Sequence, residues 1–401
     1  MNTVSLLRRH VGLIGLIGLL LVGLAIRLVV VDWPGHDGDT HITARWAENM
    51  ARYGPWNFYE HDRADYQALL YVYWPLGVLF DGDALVRAVK GLSIPFDMAL
   101  GVLLYFVALR FTRSPRALLA PALYLLNPAV LLAGPVWGQV DAASALAYLA
   151  ALLAVAAGWY PAAGALAVLA MLTKPQAGLV ALPVAVVAFL RGRRRAAGTA
   201  SPLVRVAVGA LVAYVVVAGP LRLDPSRFVE RVMTVGALKP STSLNAPNLW
   251  GMLVGYAVPD GPLFWVGAIL LLIGLVVALL PLRRRQDLST ILTVGLFVVF
   301  AFYFLPTRVH ERYLFPAMAL LAPMAAANWR VFGGYLFMTA GFALTILYAL
   351  VTTTPFGLPR SVELLLVSRT SAIWIGLTLM ATAATLAILL LRPPPGASTD
   401  P

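Results

Sequence analysis

Uncharged apolar runs of about 17 to 25 residues, the length at which a helix crosses the hydrocarbon core of a bilayer, recur along this 401-residue chain between short polar segments. A soluble core of this size would alternate apolar and polar faces, and these runs do not. In order they predict spans at 11–31, 84–109, 117–134, 142–157, 162–172, 178–190, 203–219, 262–280, 288–305, 313–327, 331–351 and 371–391. The expected fold class is therefore all-α: a polytopic integral membrane protein with about twelve transmembrane helices, within a range of roughly 10 to 13. Residues 1–401 are expected to form a single membrane-embedded domain. The runs between 142 and 190 are short for spans, a pattern of helices that end below the surface and leave polar ends in a cavity.

Two polar segments are longer. Residues 32–83 are expected to form a first extracytoplasmic loop carrying amphipathic helices, and 221–262 a second long loop. Within the first, 69–80 is partly apolar but interrupted by Trp74-Pro75, which predicts a re-entrant or interfacial piece. The Pro-rich tail at 393–401 predicts a disordered terminus, and no inverted repeat is discernible.

Composition strengthens the membrane reading: 60% of residues are apolar, 12% are charged, and the mean hydropathy is +0.82. The net charge of +12 does not imply nucleic acid. Arg8, Arg9, Arg110, Arg113, Arg116, Arg191, Arg193, Arg194, Arg195, Arg283, Arg284, Arg285, Arg330 and Arg392 fall in short loops or tails between spans, the positive-inside signature. That places the N-terminus in the cytoplasm. The 11–31 run is too long for a signal-peptide core and no small-residue cleavage site follows it, so it is expected to be a retained first span. Cysteine is absent, which excludes disulfides and thiolate chemistry.

With this orientation, five polar clusters fall on the extracytoplasmic face: His36-Asp37-Gly38-Asp39, Trp137-Gly138-Gln139-Val140-Asp141, Lys174-Pro175-Gln176, Asn245 to Trp250, and Arg308-Val309-His310-Glu311-Arg312-Tyr313. The pair Asp37 and Asp39 on a Gly-containing turn could chelate a divalent cation, or one of them could act as general base on a hydroxyl; equally, Asp39 could simply be the N-cap of a helix over 40–53. Gln139 and Asp141 enter an apolar span, where polar side chains either serve a site or hold helices together. Lys174, with Lys90 and Lys239 the only lysines, suits an anion. Arg308 and Arg312 suit a bidentate grip on phosphate, with an ion network through Glu311 as the alternative. Asn245 and Asn248 offer amides to hydroxyls, or turns to the backbone. Trp46 and neighbouring aromatics suit the faces of sugar rings, or an interfacial belt.

The order of these clusters resembles the C-fold (GT-C) superfamily of membrane glycosyltransferases that use polyprenyl-phosphate sugars, and more narrowly bacterial relatives of GPI mannosyltransferase II. The resemblance rests on Gly38-Asp39 with Trp46, Gly54 and Phe58-Tyr59, then Trp137-Gly138-Gln139 with Asp141, Lys174-Pro175-Gln176, Asn245 to Trp250, and His310-Glu311-Arg312-Tyr313-Leu314-Phe315-Pro316, over roughly 30–320. The family's Asp-Tyr-Pro-Pro is replaced here by Asp65-Tyr66-Gln67-Ala68, a departure that bears on donor or acceptor preference.

The resemblance implies an enzyme of the cell membrane that moves a hexose, mannose first among the candidates, from a polyprenyl-phosphate donor to an acceptor hydroxyl with inversion. By similarity Asp39 is the catalytic carboxylate. Asp37, Asp65 and Asp141 stand behind it or meet the acceptor; Arg312, His310, Arg308 and Lys174 meet the donor phosphate; Trp46, Trp137, Gln139, Gln176, Asn245 and Asn248 meet sugar. No cofactor is required, and a cation between Asp37 and Asp39 is not favoured because cationic side chains can stabilise the leaving monophosphate. A glycan, lipid or protein acceptor remains open. The competing classes are a transporter or flippase, which needs a polar route joining both faces, and a silent scaffold. The enzyme reading requires that the first-loop carboxylates and the 308–312 guanidinium groups converge.

Overall fold

A computed structural model describes residues 3–193 and 200–391; the tail at 393–401 and the positions of Arg194, Arg195 and Arg392 lie outside them. Among the described residues the regular elements are all helices, joined by a few isolated bridges between 241 and 310. A long first helix, α1 (Thr3–Val30), leads to α2 (Asp37–His61), α3 (Gln67–Leu79) and α4 (Gly82–Lys90), which continues into α5 (Ser93–Ala108). The next apolar run is broken into α6 (Ser114–Ala117), α7 (Leu119–Leu125) and α8 (Pro128–Leu131). A hairpin of α9 (Asp141–Ala156) and α10 (Tyr160–Thr173) is followed by α11 (Ala181–Gly192) and α12 (Pro202–Ala218). The second long loop holds α13 (Pro225–Leu238) and α14 (Leu249–Leu253), and the chain closes with α15 (Leu263–Leu279), α16 (Leu288–Phe304), α17 (Phe315–Ala327), α18 (Trp329–Thr353), α19 (Arg360–Val367) and α20 (Arg369–Leu391).

Each of the twelve apolar runs is therefore helical. Among the described residues seven helical segments are long and apolar enough to cross a membrane, or eight if Ser114–Leu125 and Pro128–Val136, bent by 42°, make one span. The expected total of about twelve also counts α9, α10, α16 and α17, which have 16, 14, 17 and 13 residues. At 1.5 Å per residue these reach roughly 20–26 Å, less than the ~30 Å hydrocarbon core.

Burial sorts the helices. In α17 nearly every residue from Phe315 to Ala326 is buried, so its all-round apolarity serves the interior; in α15 Trp265, Ile269, Leu272 and Ile273 face outward, so the same composition serves lipid. A second, smaller core forms where α2, α3 and α4 pack together, with Met50, Phe58, Leu70, Tyr73 and Leu85 fully enclosed. The helices α10 and α12 cross closely because Gly164 lies against the Val206 carbonyl and Gly209 against that of Pro161, leaving no room for a side chain.

One ion pair inside the bundle escaped the hydropathy pattern. Arg27 of α1 and Asp97 of α5 are 0% exposed and meet at 2.9 Å. Tyr124 donates to Asp97 at 2.7 Å, and Arg27 donates to the carbonyls of Leu125 and Gly23 at 2.8 and 3.1 Å. Breaking a buried pair leaves a charge without compensation. Asp97→Leu is expected to cost about 3–5 kcal/mol, seen as a lower melting temperature in detergent, while Arg27→Met/Asp97→Leu recovers most of the loss. Equal melting temperatures for wild type and Asp97→Leu would refute a stabilising role.

Candidate active site

The site begins at the first turn of α2. His36, not Asp39, is the N-cap: its Nδ1 accepts the Asp39 backbone N–H at 3.1 Å. The capping reading of Asp39 is thereby corrected. Asp39 is the third residue of the helix, where its charge is favoured by the helix dipole but its carboxylate is not consumed by the backbone. Its Oδ2 accepts from Trp137 Nε1 at 2.9 Å and from Gln139 Nε2 at 2.6 Å, and the side chain remains 29% exposed. Burial raises the carboxyl's proton affinity, but Arg312, His36 and the Trp137 hydrogen bond together hold it below the usual carboxylate range.

Trp137 and Gln139 reach α2 through a local distortion. Pro135 has no N–H to give, and the turn after α8 widens so that the Trp137 N–H meets the Leu132 carbonyl at 2.9 Å. Gly138 then takes φ +92°, and a Cβ there would stand 2.6 Å from the Thr40 methyl. Glycine thus lets the loop lie flat on the first turn of α2, with Trp137 stacked on His36 at a centroid distance of 5.2 Å.

Lys174 closes the other side. It precedes Pro175, which keeps it extended between α10 and a tight turn, and it is 1% exposed. Its ammonium donates to Gln139 Oε1 at 3.0 Å and to Asp141 Oδ1 at 2.7 Å and lies 5.1 Å from the Tyr66 ring centre. Asp141, in the first turn of α9, keeps Oδ2 without a hydrogen-bond partner among the described residues, beside a cavity of about 20 Å³ that Gln176, Ser144 and Tyr313 also line.

The 308–313 cluster supplies the positive charge. Arg312, 8% exposed, is bonded through Nη1 to Glu311 at 2.7 Å and lies 5.5 Å from the Trp137 ring, the indole that holds Asp39. Its Nε has no protein partner among the described residues. His310 stands 3.8 Å from Glu311 and 5.3 Å, ring to ring, from Tyr313. Burial lowers the His310 pKa, helped by Arg312 and opposed by Glu311. The backbone of Leu244 and Asn245 bridges to His310, which brings the fourth cluster to the same place.

Several expected site residues are occupied elsewhere. Arg308 pairs with Asp260 at 2.7 Å and lies over Phe264, so its grip is on a loop carboxylate. Asn248 caps α14, accepting from Gly251 at 2.9 Å and donating to the Pro306 carbonyl at 3.1 Å; its amide is spent on the loop. Asn245 takes φ +63°, a conformation asparagine tolerates better than most residues, at a backbone bend. Trp46 is 4% exposed and packs edge-on against Tyr66 at 5.6 Å, so it is core rather than a sugar platform. Asp37 is exposed at the helix start, and Asp65 is half-buried, its pKa raised by burial and lowered by Arg231. No group of three or more His, Asp or Glu able to hold a metal occurs among the described residues. His36 and Tyr66 join the site in roles the sequence did not assign them, His36 as cap and stacking partner and Tyr66 under Lys174, while Glu311 is the counter-charge of Arg312, the ion network weighed as the alternative for that cluster.

Burial raises Glu311, but Arg312 and His310 outweigh it and bring its pKa to about 2. A depressed carboxyl contributes stability that is present above its unfolded value near 4.5 and is lost as the pH falls through about 2. Acid titration of the melting temperature is expected to show this loss in wild type and a shallower slope in Glu311→Gln. Identical slopes would mean that Glu311 is not held as described.

No protein-family model matches the chain, and no curated protein matches it. Among solved structures it is similar to the crystal structure of ArnT from Cupriavidus metallidurans bound to undecaprenyl phosphate, with 17% identity and a TM-score of 0.50 over 94% of this chain and 77% of that one. At that identity the likeness is one of fold alone: the helices of this chain follow the architecture of that structure.

Proposed function

We propose that this chain is a membrane glycosyltransferase that uses a polyprenyl-phosphate-linked sugar, a bacterial counterpart of GPI mannosyltransferase II acting at the extracytoplasmic face. The supporting observation is the juxtaposition across Trp137: a carboxylate below its indole N–H and a guanidinium with an unused Nε over its ring. The fold shared with ArnT, a structure that holds undecaprenyl phosphate, supports the same donor class.

In this reading Asp39 takes the proton of an acceptor hydroxyl as its oxygen bonds to the anomeric carbon; the bond from that carbon to the phosphate oxygen breaks, and polyprenyl phosphate leaves from the opposite face with inversion. Negative charge gathering on the phosphate is met by Arg312, with His310 at the rim. Asp39, held below the usual carboxylate range, is ionised at neutral pH and ready to accept the proton. The lipid tail keeps the donor in the bilayer beside the bundle, so the two substrates meet with restricted orientation. The transferred group is proposed to be a hexose, with mannose the first candidate.

Purified protein incubated with a panel of polyprenyl-phosphate sugars is expected to consume one of them, polyprenyl-phosphate mannose in this proposal, and Asp39→Asn to lower the turnover by about 10²–10⁴-fold. Arg312→Lys, which keeps the charge and loses the fork, is expected to retain part of the activity. Undiminished transfer by Asp39→Asn would rule out that residue as base, and failure to consume any member of the panel would overturn the donor class.

A further inference from the structure

We infer that Lys174 is a positioning residue for Asp39, acting through the amide of Gln139. This rests on the reading of Asp39 as the base, and it departs from the phosphate contact that the resemblance suggested for Lys174.

The geometry is a chain of alternating acceptors and donors. Asp39 Oδ2 accepts from Gln139 Nε2 at 2.6 Å, Gln139 Oε1 accepts from Lys174 at 3.0 Å, and Lys174 donates to Asp141 Oδ1 at 2.7 Å. An ammonium can only donate and a carboxylate can only accept, so the intervening amide has one orientation. Turned over, it would set its NH₂ against Lys174 and its carbonyl against Asp39, two repulsions in a largely enclosed place. Lys174 therefore decides which end of Gln139 faces the carboxylate. Its position is in turn fixed by Asp141 at the start of α9 and by the Tyr66 ring below it. These partners, together with its 1% exposure, leave Lys174 little means of meeting a lipid phosphate.

The consequence reaches the reacting atom. Gln139 and Trp137 both donate to Oδ2, whereas Oδ1 receives no hydrogen bond among the described residues and has His36 Nδ1 at 3.7 Å. Two donated bonds lower the basicity of Oδ2, so Oδ1 is the oxygen that receives the acceptor's proton.

The test uses the full chain in nanodiscs and two ways of breaking the relay. Gln139→Leu removes the amide while leaving the Lys174–Asp141 pair; Lys174→Met/Asp141→Asn removes that pair without changing net charge or leaving a lone buried ion. Protonation of Asp39 is followed by infrared spectroscopy of protein labelled at the aspartate carboxyl carbon, with Asp39→Asn identifying the band. The groups facing that carboxylate, Arg312, His36 and Glu311, are left intact. The expected result is that Asp39 protonates at higher pH in both variants, and that combining them adds nothing further, as for residues acting in one chain. Donor consumption, read with undecaprenyl-phosphate mannose, is expected to fall about 10²-fold in kcat with KM changed less than about twofold, as for a misplaced catalytic group.

An unchanged Asp39 titration in Lys174→Met/Asp141→Asn, beside a shifted one in Gln139→Leu, would overturn the relay. So would a raised donor KM with kcat intact, which would mark Lys174 as a donor contact. If wild type consumes no polyprenyl-phosphate sugar, the proposed function fails, while the titration still decides the relay.

Discussion

A carboxylate at the mouth of an apolar helix bundle keeps its charge only if donors are built toward it, and the arrangement of this protein follows from that requirement at Asp39. Trp137 and Gln139 can donate to it only because the turn after α8 is widened and Gly138 lies against Thr40. Gln139 can face it only because Lys174 holds the other end of the amide, and Lys174 can be buried only because Asp141 opens α9 beside it. The charge of Arg312, matched by Glu311, completes the balance from the opposite direction. Residues from four separate segments thus depend on one another, and no pair among them would persist alone in so enclosed a setting.

The helical character of every apolar run was legible from the hydropathy pattern, since a backbone in lipid has few other ways to satisfy its hydrogen bonds. Less legible was which helices are long enough to cross: α9, α10, α16 and α17 share the composition of the candidate spans but stop short of the length that crosses alone, and hydropathy does not measure partners. Arg27 was hidden for a related reason. A single charge near the end of a long apolar run reads as an interfacial residue, and only its packing against Asp97 and Tyr124 reveals a buried pair.

The expected site residues that the structure brings together are mostly charges in apolar surroundings, where a lone ion is too costly to be incidental. Those it engages elsewhere are residues whose types serve two purposes. Asn248 and Arg308 have the chemistry to bind a ligand, but the long loop between α12 and α15 needed a cap and a counter-charge, and it took them. Trp46 is an aromatic in a polar segment, yet that segment folds over its own small core and encloses it. The N-cap of α2 fell to a histidine, an uncommon choice for that position, and this is what left Asp39 available.

The pair between Arg27 and Asp97 also bears on how the chain enters the bilayer. The two residues lie 70 positions apart, so the first helix emerges from the ribosome with a guanidinium whose only strong partner has yet to be synthesised. Because Arg27 lies in the last turn of α1, its long side chain can snorkel to the interface until that partner arrives. The buried pair can therefore form only once α5 is in place, which ties the final seating of the first helix to the arrival of the fifth.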